Sequence, residues 1–284
     1  MSGRLLAISD LHVNHRGNLD ALAALPQHPG DWLLVPGDVG DAPEHLEAGL
    51  DVLIDRFERV IWAPGNHELW VARGDGPRGV NRYEVLLEIC QRHGVLTPED
   101  PFPIWSGDGG PARIAPMFVG YDWSFRPAHV SLAGLADWAA EDGIHATDDR
   151  VLRADPYKDV AEWCAARVAL TRARLEAASD LPLVLMNHYP LRQDLVRLFR
   201  IARYAPWCGT TATEDWHTRF PARVVVSGHL HMRATDWRDG VRFEEVSLGY
   251  PRHWRAARGV EWYLREILPG IEQPIGVEGP IWRF

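Results

Sequence analysis

Five apolar, strand-like runs in this chain each end in a short segment built from Gly, Asp, Asn and His, and that recurrence limits the folds available to it. Ser9-Asp10-Leu11-His12 closes the first run, Gly37-Asp38-Val39-Gly40-Asp41 the second and Gly65-Asn66-His67-Glu68 the third. Asn187-His188-Tyr189-Pro190 follows a later run, and Gly228-His229-Leu230-His231 comes just after Val224-Val225-Val226. In an extended segment, residues i and i+2 point the same way, so His229 and His231 can reach one small volume. Ligands of open α/β sheets gather at the carboxyl ends of strands. The ordered set therefore predicts side chains from distant parts of the chain meeting at one sheet edge.

The periodicity around these segments supports an α/β class. Strands are expected at residues 4–9, 32–35, 60–63, 114–119, 183–186 and 223–226, and helices at 18–25, 43–57, 81–93 and 159–178. Val160, Trp163, Cys164, Val168, Thr171 and Leu175 recur at helical spacing in the last of these. Residues 233–237 and 241–247 read as a hairpin joined through Asp239-Gly240, a strong turn signal. We expect a single domain over residues 1–284, with insertions near 70–111 and 122–157 placed close to the site, and a tail from Pro269 running along the surface.

Composition narrows the function classes. A formal charge of −9 argues against a general nucleic-acid binder, whose footprint is basic. No apolar run reaches the ~18–20 residues of a membrane span. The first strand begins at once, leaving no room for a cleaved signal peptide, and Cys90, Cys164 and Cys208 lack metal spacing. These features lead us to expect a cytoplasmic protein with no nucleic-acid or membrane partner.

The chemistry offered by the strand ends is that of hard-to-borderline metal ligands: Asp10, His12, Asp38, Asn66, His188, His229 and His231. Carboxylate and amide oxygens mixed with imidazoles suit manganese or iron, with zinc possible, better than a thiolate set would. Two such ions can clamp a phosphoryl group and lower the pKa of a shared water.

The ordered string D-x-H, GD, GNHE, H, GHLH resembles the calcineurin-like metallophosphoesterase superfamily and spans residues 10 to 231. The resemblance implies a four-layer α/β/β/α sandwich, with two mixed sheets flanked by helices. It also implies a dinuclear site in which Asp10, His12 and His231 hold one ion, Asn66, His188 and His229 the other, and Asp38 bridges. An activated water would attack phosphorus in line, and catalytic His67 would protonate the leaving oxygen or stabilise charge. Further segments are similar to an actinobacterial branch containing a phosphopantetheinyl hydrolase of carrier proteins: ISDLHV from Ile8, DWLLVPGDVG from Asp31, WAPGNHELW from Trp62, VLTPEDPFP from Val95, WCGTT from Trp207, DWHTRF from Asp215 and VRFEEVSLGYPR from Val241. This branch implies cleavage of the 4′-phosphopantetheinyl phosphodiester of a carrier protein. Within the superfamily, a phosphomonoesterase for a small metabolite and a cyclic-nucleotide phosphodiesterase are the rival activities, and a non-catalytic binding scaffold is the remote one. Protein phosphatases of this superfamily carry an arginine after the second acid, whereas Asp41 is followed by Ala42-Pro43.

Several other residues carry expectations. Arg252 is the candidate phosphate contact outside the ligand set, and His217 a second candidate for the substrate cleft. Asp41 reads equally as an orienting partner or as the N-cap of the helix entered at Pro43, and Glu68 as a residue that bonds its loop. Arg197, Arg200 and Arg203 recur every third residue, which on a helix puts them on one face, with Arg192 nearby; the spacing reads first as a solvated charged face, and as its sharper alternative a docking patch for an acidic carrier protein. The remaining histidines, His15 and His253 among them, are read as structural, and Cys208 as a buried thiol.

Overall fold

The computed structural model describes residues 3–71, 76–178, 180–276 and 279–283. In chain order the first half runs β1 (Leu5–Ala7), α1 (Arg16–Ala23), β2 (His28–Pro36), α2 (Pro43–Ile54), β3 (Phe57–Ala63), α3 (Val80–Arg92), β4 (Ile104–Trp105), β5 (Ala112–Pro116), α4 (Leu135–Ala140) and α5 (Asp148–Val151). The second half runs α6 (Val160–Ala177), β6 (Leu183–Met186), α7 (Trp216–Arg219), β7 (Ala222–Ser227), β8 (Ala234–Arg238), β9 (Val241–Glu245), β10 (Arg265–Leu268) and β11 (Ile281–Trp282).

The strands form two sheets, ordered β10-β1-β2-β3 and β11-β8-β9-β7-β6-β5-β4. The pleat explains their stacking, because successive side chains leave opposite faces. Leu5, Ala7, Leu34, Ile61 and Ala63 from the first sheet meet Ile114, Val184, Met186, Val224 and Val226 from the second in one apolar layer. The alternate residues Leu6, Leu33, Val35, Val60 and Trp62 face outward beneath α2 and α3, which contribute Leu46, Leu50, Leu53, Tyr83, Leu86 and Ile89. On the other side Ala115, Leu183, Leu185, Val225 and Phe243 pack under α6. The expected four-layer sandwich is present, both sheets mixed. A parallel bridge between Ser9 and Ser247 ties the end of β1 to the segment after β9, so the sheets join at the edge where the ligands lie.

Local signals explain most boundaries. The buried face of α6 is Trp163, Cys164, Val168, Thr171 and Leu175, and its N-cap Asp159 accepts from the Glu162 amide. Asp239 and Gly240 both take positive φ, as a two-residue hairpin turn requires. The helix expected at 43–57 ends at Ile54, because Phe57 already starts β3. Stretch 70–111 contributes α3 to the outer layer, where Tyr83, Leu86, Ile89 and Cys90 are buried; positions 72–75 lie outside the described residues. The short strands β4, β10 and β11 lacked a period-2 signal. Among the described residues no helix is long and apolar enough to cross a membrane.

The arginine spacing at 197–203 does not form a helical face. Residues 193–195 and 202–207 are 3-10 turns separated by irregular chain. Arg197 pairs with Asp236, Arg203 with Glu141 and Asp142, and only Arg200 points away without a carboxylate partner among the described residues. The basic docking face of the sharper alternative is therefore absent: internal acids neutralise two of its three charges.

Candidate metal centre

β1, β2, β3, β6 and β7 all end at one edge of the sandwich, and the chain turns sharply there to aim side chains inward. The backbone shows the cost. Of the eight non-glycine residues with positive φ among those described, five are Asp10 (53°), His12 (42°), Asp38 (55°), His229 (70°) and His231 (54°). Such conformations cost on the order of 1–3 kcal/mol each and persist where the surroundings over-determine them. Asp and His tolerate the left-handed region better than branched residues do. Glycines permit the close approach: a Cβ on Gly65 would lie 2.0 Å from Asp38 Oδ1, and one on Gly228 would lie 2.4 Å from Asp10 Oδ2.

Among the described residues three groups of ligand atoms result: first Asp10, His12 and His231, second Asp38, His188 and His229, and third His12, Asp41 and His67, which shares His12 with the first. In the first, His231 Nε2 lies 3.0 Å from Asp10 Oδ1 and 3.3 Å from His12 Nε2. In the second, His188 Nε2 lies 3.1 Å from Asn66 Oδ1, 3.2 Å from His229 Nδ1 and 3.5 Å from Asp38 Oδ2. Ligands about 2.0–2.2 Å from one ion are separated by roughly 3.0–3.5 Å along the edges of its coordination polyhedron. The observed spacings have that size.

Electrostatics supports the same conclusion. Burial pushes the imidazoles of His12, His188 and His229 down, His188 to about 4, so each is neutral near pH 7 and presents a lone pair. The 3.5 Å contact of His188 with Asp38 is therefore a meeting of ligand atoms and not an ion pair. Burial pushes Asp10 up, but the histidines around it, His231 first, hold its carboxyl well below the usual range. Burial and then the neighbouring Asp10 and Glu68 charges push the Asp38 carboxyl well above it. Two buried carboxyl groups, Asp10 and Asp38, beside the neutral imidazoles of His12, His188 and His229, without an arginine or lysine among the ligands, call for cations to make the set stable. The donor set fits two divalent or trivalent ions.

Surrounding groups fix the ligands. Ser9 and Ser247 hydroxyls donate to Asp10 Oδ2 at 2.6 and 2.7 Å, and the Glu245 carboxyl, which burial pushes up, lies against the Ser247 oxygen as a second polar neighbour. His188 Nδ1 donates to the Pro36 carbonyl at 2.9 Å, which leaves Nε2 without its proton. Asn66 Nδ2 donates to Asp148 Oδ1 at 2.9 Å, turning its amide oxygen toward His188; Trp70 Nε1 donates to the same carboxylate oxygen. Glu68 bonds its loop as expected, accepting from the amides of Asp38, Val39 and Gly65.

His67 is placed beside the first two groups. Its amide donates to Asp38 Oδ1 at 3.0 Å, its Nε2 lies 3.8 Å from Asp38 Oδ2, and its ring packs on Trp70. Its Nδ1 lies 2.8 Å from Asp41 Oδ1. This resolves the even reading of Asp41: it orients His67, and Ala42 occupies the N-cap position of α2.

The structure does not bring His217 to this edge. It starts from α7, which enters β7 at that strand's amino end, and it bonds Asp239 at the tip of the β8–β9 hairpin, 2.8 Å away. Because β7 and β9 run parallel, this tip is at the opposite end of the sheet from His229. Arg252 lies at the rim, its guanidinium over the Tyr250 ring and its Nε donating to His253. The sequence reading passed over Asp148 and Ser247 and took His253 as structural; Tyr250, in Gly249-Tyr250-Pro251-Arg252, it weighed as a cleft residue with loop packing slightly ahead. Tyr250 stacks on His12 with ring centroids 4.4 Å apart, and His253 Nδ1 lies 2.9 Å from His231 Nδ1. The paired aromatic and histidine in Gly249-Tyr250-Pro251-Arg252-His253 were the available signal, but the segment has no periodicity. Cys208 is a buried thiol, as are Cys90 and Cys164.

The comparisons with known proteins agree with this geometry. The calcineurin-like phosphoesterase family model matches residues 3–233. The [acyl-carrier-protein] phosphodiesterase PptH of Mycobacterium tuberculosis is 50% identical over 272 residues, covering 93% of this chain and 83% of that protein. The crystal structure of phosphopantetheinyl hydrolase (PptH) from the same organism superposes with a TM-score of 0.89 at 46% identity, covering 98% of this chain and 99% of the other. The chain belongs to the calcineurin-like phosphoesterase family, enzymes that hydrolyse phosphoester bonds.

Proposed function

We propose that this protein is a dinuclear phosphodiesterase that releases 4′-phosphopantetheine from the serine of a carrier protein. The observation that carries the reading is the placement of His67 beside two ligand groups, with its Nδ1 bonded to Asp41, in a chain half identical to an acyl-carrier-protein phosphodiesterase.

In this reading Asp10, His12 and His231 hold one ion, Asn66, His188 and His229 the other, and Asp38 serves both. Bound there, the two ions would neutralise the phosphodiester oxygens and lower the pKa of a water between them. The protein's own groups do the rest. Asp41 accepts from His67 Nδ1–H and stabilises the imidazolium, so that Nε2–H faces the reacting centre. Water adds to phosphorus, the bond to the serine oxygen breaks, and that oxygen takes the Nε2 proton. The products are a carrier with a free serine hydroxyl and 4′-phosphopantetheine. His67 is left as the neutral imidazole with its proton on Nδ1, and solvent reprotonates Nε2. Tyr250, Trp70 and the edge of His12 enclose the His67 ring and limit its rotation.

Manganese and iron are the favoured ions, on a donor set of carboxylate and amide oxygens mixed with imidazoles and free of thiolate, and the compartment is the cytoplasm. Incubating the metal-loaded enzyme with a holo-carrier protein should lower the carrier's intact mass by one phosphopantetheinyl group, with the free prosthetic group appearing in solution. Unchanged carrier mass from enzyme that still hydrolyses a chromogenic phosphodiester would overturn the carrier-protein reading.

A further inference from the structure

The phosphodiester in the proposed reaction sits directly on a serine of the partner. A serine side chain is short, so the partner's backbone must come up to the mouth of the metal centre for the bond to reach His67. Whatever lines that mouth must therefore face the partner's surface, and its charge must suit that surface.

The segment after Gly249 lines one side. Tyr250 touches His12, His67, His231 and, from α1's approach, His15. Beyond it, residues 246–260 carry Arg252, His253, Arg255 and Arg258 and no Asp or Glu, in a chain whose net charge is −9. Pro251–His253 and Ala256–Arg258 are 3-10 turns with no buried residue, so these arginines are presented outward. Several arginines elsewhere pair with carboxylates of the same chain, as with Arg113 and Asp180, Arg167 and Glu99, Arg197 and Asp236. Arg252 and Arg255 have no carboxylate partner among the described residues. Trp254 anchors the segment: it is buried and donates from Nε1 to Asn18.

We propose that this rim, centred on Arg255 and flanked by Arg252 and Arg258, is the docking surface for a carboxylate-rich face of the carrier protein. This rests on the carrier-protein reading above, and it assigns the partner contact to residues 250–258 in place of the arginines at 197–203. Charge complementarity carries it: an acidic partner approaching an enzyme of net charge −9 is drawn to the side of the mouth bordered by Arg252 and Arg255, exposed cations without a carboxylate partner among the described residues, in a stretch free of Asp and Glu. Docking there sets the partner's serine beside His67 and Tyr250.

The test uses the metal-loaded full chain with Arg255→Glu and Arg258→Glu combined, and the matched lysine pair as a control for folding. We expect kcat/KM on holo-carrier to fall about tenfold or more through KM, with kcat nearly unchanged. Hydrolysis of bis-(p-nitrophenyl) phosphate should be unaltered, and the lysine pair should keep carrier activity. Raising ionic strength should depress carrier turnover of the unsubstituted enzyme and leave the glutamate pair almost insensitive. Undiminished carrier turnover by the glutamate pair would overturn the docking surface while leaving the phosphodiesterase reading intact. A second arm measures binding of apo-carrier to His67→Ala protein. Salt-sensitive binding lost with the glutamate pair upholds the surface even if hydrolysis of holo-carrier fails. No apo-carrier binding, or stronger binding of a single-stranded oligonucleotide to the same arginines, overturns it.

Discussion

The two ligand groups are built from similar side chains but supported in different ways. The group of Asn66, His188 and His229 rests on fixed polymer. His188 is held by a backbone carbonyl, Asn66 by the buried carboxylate of Asp148, and His229 lies under the rings of Tyr189 and Tyr204. The group of Asp10, His12 and His231 rests on side chains stacked outward: Ser247 on Asp10, Tyr250 on His12, His253 on His231, the last on a segment of exposed 3-10 turns. Burial does not separate the two groups, each of which pairs two buried residues with one part-buried histidine, so the contrast rests on backbone anchoring, which leads us to expect an ion at Asn66, His188 and His229, the inner position, to be the tighter and slower to exchange, and one at the outer position to be more open to exchange.

Removing what the two positions share should have the largest effect. Asp38→Asn deletes the carboxylate assigned to both, so metal content should fall from about two ions per chain toward zero and hydrolysis should be abolished. Mass spectrometry of acid-released metal reads this directly, and retention of both ions would show that Asp38 does not bridge them. His67→Ala comes next: both ions should stay, while turnover of an alkyl phosphodiester slows about 10²–10⁴-fold. The loss should shrink for p-nitrophenyl esters, whose leaving group needs no proton; equal losses for the two would contradict a proton-donating role.

Smaller effects separate the two positions. Substituting the supporting residues of metal ligands typically costs 10–100-fold in affinity. Asp148→Ala should weaken the inner ion by an amount in that range, and His253→Ala the outer ion by less, because its support is partly solvated. Titration with a chelator and two metal-sensitive dyes should assign each loss; identical behaviour of the two variants would remove the contrast. In the unsubstituted protein, chelation should be biphasic, the first ion leaving without loss of the second. A single concerted phase would show that Asp38 couples the positions too strongly for support to matter.

What the sequence made visible were residues whose placement follows from local geometry. Asp10, Asp38, Asn66, His188 and the His229–His231 pair each follow a strand, and a strand end fixes where a side chain points. Asp148 and the site role of His253 were invisible for the opposite reason, and Tyr250 was only a possibility: they come from segments without period, brought in by packing over long separations. Asp41 was half visible, since Asp before a helix is as often a cap as a hydrogen-bond partner; only the 2.8 Å contact with His67 decides. The arginines at 197–203 misled because spacing of three implies a face only if the segment is helical, and here Pro206 and the intervening turns prevent that. His217 misled because nearness in sequence to β7 said nothing about which end of the strand it flanks.

The bridge between Ser9 and Ser247 has a consequence for synthesis. Asp10 and His12 leave the ribosome long before their partners His229, His231 and Ser247, which lie more than two hundred positions further along the chain. A product that stops before His231 lacks a complete outer position, so loading with two ions would report that the chain has been made past His231 and that these distant segments have closed on each other.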